Sequence, residues 1–188
     1  MVYPRKYSMV IKEIRVHGRG GQGAVTTSQV IAISAFHDGK YSQAFPSFGV
    51  ERRGAPVQSF SRISDKKINV RQQVYNPDYV IVLDPSLLDV TDVSSGIKKN
   101  GLIIVNTDKD NVDIETSAEI KILDVTKVAL DVIGKPFVNI ASLGGFSALT
   151  DEISLESLKT AVDENFKGKE KIAEINKKAA QKVYDMVK

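Results

Sequence analysis

Gly18, Gly20 and Gly23 stand at G-x-G-x-x-G spacing in the stretch "VHGRGGQGAVTT", with Arg19, Gly21 and Gln22 between them. Between a strand and a helix, such a run makes a cradle for an anion. Glycines accept positive φ and let backbone amides approach a ligand, and the helix that starts near Gly23 adds its partly positive end. Arg19 adds a full charge. Gly20, Gly21, Gln22 and Gly23 are therefore the candidate anion-binding turn, with Gln22 either orienting a ligand through its amide or capping the helix. The residues alone leave a second reading open, a tight strand-to-helix turn that holds nothing.

A second loop, "FPSFGVERRGAPVQSF", places Glu51, Arg52 and Arg53 between Gly49 and Gly54, with Pro46 and Pro56 stiffening the flanks. Neighbouring side chains in an extended loop point in different directions, so Arg52 and Arg53 have different partners. One partner is Glu51 or another acid; the other is a ligand phosphate or an adjoining chain. If both loops lie at one edge of a sheet, Arg19, Arg52 and Arg53 converge with the amides on a single anion. That anion is not expected to be NAD. A dinucleotide site puts an acid about 20 residues beyond the glycines, at the end of the second strand. Here that strand is "YSQAFPSF", which has none.

No other set of residues is arranged to run chemistry. The chain has no cysteine, its two histidines, His17 and His37, have no partnering motif, and no nucleophile, acid-base pair or metal-ligand cluster is evident, so catalytic residues and metal ligands are both expected to be none.

The elements that must position the two loops alternate between strand and helix. Ile11, Ile14 and Val16 mark a first strand, and residues 24 to 36 a helix. Strand signals follow at "YSQAF", "PVQSFSRI" and "INVRQQV", and "DYVIVLD", "LIIVNT" and "IKILDV" are apolar enough to be buried strands. "DVSSGIKKNG" fits a short helix, "TKVALDVIG" a helix closed by glycine, and residues 137 to 149 and 154 to 166 two more. Ile172, Ile175, Ala179, Val183 and Met186 recur at helical spacing, predicting a C-terminal amphipathic helix. The pattern predicts a three-layer α/β/α sandwich with a mixed, mostly parallel sheet, in one domain over 1–188 with its core at about 11–150 and a helical part at 151–188.

Length and composition agree with one soluble domain of 188 residues, 42% hydrophobic and 26% charged, without a membrane-length apolar run. The opening "MVYPRKYSMVIKEI" lacks a secretory-type apolar stretch, and with no cysteine present a cytoplasmic location is expected. A net charge of +3 conceals an asymmetry: residues 1 to 71 hold 12 Lys and Arg against four acids, including all seven arginines. Arginine suits phosphate and carboxylate oxygens, so the bias suggests either an anionic ligand or acidic partner, or else only a solvated basic face. Nucleic acid is disfavoured, because no aromatic-and-basic interleaving accompanies the charge.

Together, "HGRGGQGAVTTSQVIAISAFHDGKYSQAFPSFGVERRGAPVQSFSRI", "YNPDYVIVLDPSLL", "GLIIVNT" and "NIASLGGFSAL" resemble the gamma subunit of the 2-oxoacid:ferredoxin oxidoreductases of the pyruvate type, over residues 11 to 185. The pairing of "GRGGQG" with "GVERRG" is the specific part. The resemblance implies an enzyme that decarboxylates a 2-oxoacid on thiamine diphosphate, passes electrons through 4Fe-4S clusters to ferredoxin and forms an acyl-CoA. It implies that alpha, beta and delta partner subunits carry the thiamine diphosphate and clusters. The gamma part is implicated in coenzyme A binding and packing, and is inactive alone. Two other readings remain open, a stand-alone nucleotide-binding oxidoreductase and a purely architectural subunit.

Overall fold

The computed structural model describes residues 10–47 and 53–188. Among them, β1 (Ile11–Arg19), β2 (Tyr41–Pro46), β3 (Pro56–Ser64), β4 (Tyr79–Val82), β5 (Leu102–Asn106) and β6 (Glu119–Leu123) form a six-stranded sheet in the order β2-β3-β1-β4-β5-β6. The pairs β1–β4, β4–β5 and β5–β6 are parallel, and β3 alone is reversed, running antiparallel to both β1 and β2. The sheet is thus mixed and mostly parallel. Helices α1 (Ala24–His37), α2 (Val125–Ile133), α3 (Val138–Thr150), α4 (Leu155–Asn165) and α5 (Glu170–Val187) all contribute to one core on one face of the sheet.

β4 and β5 are apolar without alternation because both faces are covered. Ile81, Leu83, Leu102 and Ile104 enter the helical core, while Val80, Val82, Ile103 and Val105 pack on the opposite side. There the outer layer is a 3-10 turn (Pro85–Leu87) and coil, carrying Leu87, Val93, Ile97 and Ile114 in place of helices. The short helix expected at 92–101 is a run of turns. Gly96 has φ 70°, and a Cβ there would collide with the carbonyl of Tyr75. Nor is 68–74 a strand: the carbonyls of Gln72 and Gln73 accept from Arg62 instead of a neighbouring strand. β6 is an edge strand, with Glu119 and Lys121 exposed, where full burial was expected.

The C-terminal helix forms, but it is rotated from the expected stripe. Ala173, Asn176, Ala179, Ala180 and Val183 face inward, while Ile172 and Met186 remain 45% and 57% exposed. α3 and α5 cross so closely that a Cβ on Gly144 would strike the backbone of Ala180. Only small residues fit such a crossing.

The polar character of β1 has its own explanation. Arg15 and His17 point to the non-helical face, where Arg15 Nη2 donates to the carbonyls of Val93 (3.0 Å) and Ser95 (2.7 Å). On β3, buried Arg62 donates to Glu13 at 2.8 Å and to the carbonyl of Gln72 at 2.6 Å, and lies over the Phe45 ring. These guanidinium groups pin down the coil that covers the face.

His17 is almost fully enclosed, and burial, then the charge of Arg15, lower its pKa to about 3. A folded state that holds this proton less tightly than the unfolded chain is at full strength above pH ~6.5 and loses stability as the pH falls from there toward 3. We expect His17→Gln to remove one proton's worth of that slope, measured by urea unfolding across pH 4 to 7; identical slopes in both chains would contradict it.

Candidate functional site

The carboxyl ends of β1, β4 and β5 meet at one edge of the sheet, the edge at which open α/β sheets usually bind ligands. α1 starts there, and its place is fixed by β3. The Ser28 and Ser59 hydroxyls are 2.7 Å apart, Ser59 donates to the carbonyl of Ala24 at 2.6 Å, and Ser61 to that of Ser28 at 3.0 Å. Small hydroxyl side chains let the helix lie close while satisfying buried groups.

The glycine loop fills the gap between β1 and α1. Gly21 and Gly23 have φ of 96° and 81°, and a Cβ on Gly18 would sit 3.3 Å from the Ala24 Cβ. Gly20 N donates to the carbonyl of Ala55 at 2.9 Å, and Gly54 N to that of Gly20 at 3.1 Å. The second loop is thereby joined to the first, and Arg53 stands exposed beside Gly54. Arg52 lies outside the described residues.

Gln22 does not cap the helix, and its amide is engaged within the protein. Its Oε1 accepts from Arg19 N at 2.7 Å, and its Nε2 donates to Asp84 Oδ2 at 2.6 Å. Arg19 is likewise used internally: its guanidinium donates to Ser86 Oγ at 2.7 Å and to the carbonyl of Gly54 at 3.0 Å, and lies 3.5 Å from Asp84. Burial pushes the Asp84 carboxyl up, but hydrogen bonds from Ser86 and Gln22, aided by Arg19, outweigh it and hold the group below the usual carboxylate range. The side chains of the loop thus lock it from within.

What remains for a ligand is backbone. Gly23 is the N-cap of α1 and no side chain caps the helix, so the amides of its first turn have no intrahelical partner. The N-cap Gly23 borders a cavity of about 590 Å3 lined by Gly21–Gly23, Asp84, Asn106, Thr126, Phe137, Asn139, Phe166, Ile172 and Asn176, among others. A Cβ on Gly23 would fall 2.6 Å from Asn139 Nδ2, so glycine is required there by space as well as by φ. Asn106 is fully engaged, donating to the Leu83 carbonyl and accepting from Thr126 N. Asp84, Asn139 and Asn176 were not singled out in the sequence. Asn176 alone had a signal there, as a polar residue between Ala173 and Ala180 at helical spacing. Among the described residues, no group of three or more His, Cys, Asp or Glu is placed to hold a metal ion, and no helix is long and apolar enough to cross a membrane.

The chain is similar to known proteins along most of its length. The pyruvate ferredoxin/flavodoxin oxidoreductase family profile matches residues 13–186. A pyruvate synthase subunit PorC from Methanocaldococcus jannaschii is 53% identical, covering 92% of this chain and 95% of that protein. A common gamma subunit of the pyruvate/ketoisovalerate oxidoreductases from Thermococcus kodakarensis is 48% identical, with 92% and 95% covered. The crystal structure of pyruvate oxidoreductase subunit PORC from Thermotoga maritima superposes with a TM-score of 0.81 at 35% identity, covering 93% of this chain and 96% of that one.

Removing the Gln22 amide would leave Arg19 N without its acceptor and Asp84 Oδ2 without its hydrogen-bond donor. Gln22→Ala is expected to destabilise the chain by about 0.5 to 1.5 kcal/mol, the usual net contribution of a hydrogen bond, because the groups involved are half-buried. Denaturant unfolding measures it, and a change within error would mean that the bracket is dispensable.

Proposed function

The chain belongs to the pyruvate ferredoxin/flavodoxin oxidoreductase family, and on that footing we propose that it is the gamma subunit of a multi-subunit, cytoplasmic pyruvate:ferredoxin oxidoreductase. Such an enzyme turns pyruvate, coenzyme A and oxidised ferredoxin into acetyl-CoA, CO2 and reduced ferredoxin. The observation that carries the subunit reading is 53% identity with a PorC subunit over nearly the whole of both chains. In this reading the chain is non-catalytic. Thiamine diphosphate and the 4Fe-4S clusters sit on alpha, beta and delta partners, because clusters need thiolate ligands and this sequence has no cysteine. The relative shared by pyruvate and ketoisovalerate enzymes supports selection of the 2-oxoacid in other chains.

The contribution of this chain is coenzyme A binding together with subunit packing. The diphosphate and 3′-phosphate of coenzyme A suit the open amides at Gly20–Gly23 and α1, with Arg53 beside them and Arg52 next to it in sequence. Arg19 serves that site indirectly, as the latch that holds its shape. A purely architectural role is the second reading, favoured by one observation: the Arg19 and Gln22 side chains are both used inside the loop.

The isolated chain is expected to show no pyruvate-dependent electron transfer when supplied with thiamine diphosphate, coenzyme A and an acceptor. In the reconstituted complex, Arg53→Gln or Arg52→Gln should weaken apparent coenzyme A affinity about tenfold or more, from the roughly 1.5 to 3 kcal/mol of a hydrogen bond to a charged group. Reduction of the clusters by pyruvate without coenzyme A should be kept. Unchanged coenzyme A kinetics with a complex that dissociates on a sizing column would favour the architectural role.

A further inference from the structure

Among the described residues, the face of the sheet opposite the helices is finished by three connections that carry no α-helix. The β3–β4 connection (65–78) lies over β2 and β3, where Arg62 takes the carbonyls of Gln72 and Gln73 and Gln43 Nε2 donates to that of Ile68 at 3.3 Å. The β5–β6 connection (107–118) lies over β5, with Val112 and Ile114 packed on the apolar cluster that contains Ile103 and Val105. The β4–β5 connection (83–101) runs between them and is bonded to both. Asn76 Nδ2 donates to the Gly96 carbonyl at 3.1 Å, and Ser94 Oγ to that of Glu115 at 3.3 Å. The three connections thus form one continuous surface.

Charge on that surface is sorted by sign. On the β2–β3 side Lys67 and Arg71 are exposed, and so is Lys99, in the turn bonded through Lys98 N to the Pro77 carbonyl. On the β5–β6 side Asp108, Asp110, Asp113 and Glu115 are exposed, with Lys109 as the one cation of that connection. None of these side chains has an ion-pair partner among the described residues, whereas on α4 and α5 Lys159 meets Glu156 at 2.8 Å and Lys177 meets Asp163 at 2.9 Å. On the middle strip Val90 is 62% exposed, and Tyr75, whose carbonyl abuts Gly96, is 66% exposed. The surface is therefore basic at one side, acidic at the other and apolar in between, with its charges unanswered.

We propose that two copies of the chain pair through this surface about a two-fold axis, the Lys67–Arg71 side of each meeting the Asp110–Asp113 side of the other around Tyr75 and Val90. A partner of one sign would suit one half of the surface and be repelled by the other half. A second copy turned by 180° suits both halves, because in such a pair residue i meets residue j and j meets i. An apolar middle within a charged rim is the usual anatomy of a protein interface, and the three connections together hold more than the roughly 20 to 30 residues a side that a stable one uses. The inference goes beyond the proposed function and uses neither the glycine loop nor the cavity at the carboxyl edge.

Analytical ultracentrifugation of the full chain tests the proposal. At low ionic strength the chain should form a reversible dimer, and raising the salt to about 0.5 M should weaken it at least about tenfold, since exposed charges are then screened within a few ångströms. A chain with Lys67→Glu and Arg71→Glu, and a second with Asp110→Lys and Asp113→Lys, should each dimerise at least about tenfold more weakly, because like charges then face each other. An equimolar mixture of the two should form a one-to-one pair at least as tight as the unaltered dimer, because every reversed contact is again between opposite charges. All four positions are exposed, so both variants should melt with the unaltered chain; the salt dependence needs no variant and stands even if one fails to fold. A chain that stays monomeric at low salt, a dimer indifferent to salt and to the reversals, or a mixture no tighter than either variant alone would overturn the proposal. If the chain is monomeric and the reversals instead detach it from its partner subunits in the reconstituted complex, the surface belongs to another subunit and the pairing of copies falls.

Discussion

α1 lies on β3 across serines, and the closeness of that contact sets the geometry of the whole carboxyl edge. Ser28, Ser59 and Ser61 are buried, and their hydroxyls are bonded to one another or to the helix backbone. Larger side chains would lift the helix, and unbonded ones would leave buried polar atoms without partners. With the helix held down, the chain must leave β1 and enter α1 in very little space. Gly18, Gly21 and Gly23 meet that requirement, by close approach at the first and by positive φ at the other two. The β2–β3 connection is drawn in by the same geometry, through the backbone pair between Gly20 and the 54–55 turn.

The two edges of the sheet are built differently. At the amino edge, Glu152 accepts from Tyr79 at 2.8 Å and lies 3.8 Å from both Lys12 and Lys40. Asp38 accepts from Ser154 N, Ser154 Oγ and Ser157 Oγ, which ties the end of α1 to the start of α4. Charged groups there answer one another and close the edge. At the carboxyl edge the side chains of the loop are also satisfied, but an uncapped helix terminus and the Asn176 oxygen are not. Buried side-chain atoms without a partner also include Arg15 Nε, His17 Nε2 and Arg62 Nη1, elsewhere in the sheet, so it is the open helix terminus that distinguishes the carboxyl edge.

Much of the fold was legible because its strongest signals are local. The glycine run between strand and helix, the continuous apolar β4 and β5, and the Gly134 stop after α2 each follow from a few adjacent residues. The failures come from tertiary contacts. Residues 68–74 look like a strand until Arg62 takes their carbonyls, and the 92–101 segment turns at Gly96, where any side chain would strike the Tyr75 carbonyl. On α5 the large apolar residues suggested the buried stripe, but the crossing at Gly144 admits only small ones. The arginine bias has in part a structural origin. Arg15 and Arg62 are buried structural ties and Arg19 is a latch, so three of the seven arginines are accounted for before any ligand is considered.

That accounting bears on the proposed anion site. A cradle whose own charges are engaged internally does not attract an anion by raw charge; it offers directed backbone amides whose positions the Gln22 bracket fixes in advance. Donors held in place before the ligand arrives lose little entropy on binding, and they discriminate by shape and hydrogen-bond pattern. Arg53, exposed at the rim, is left as a charge that can draw an anion toward the edge without disturbing the loop. In the proposed site, attraction at the rim and the shape of the loop are then carried by different groups, Arg53 for the first and the Gln22 bracket for the second.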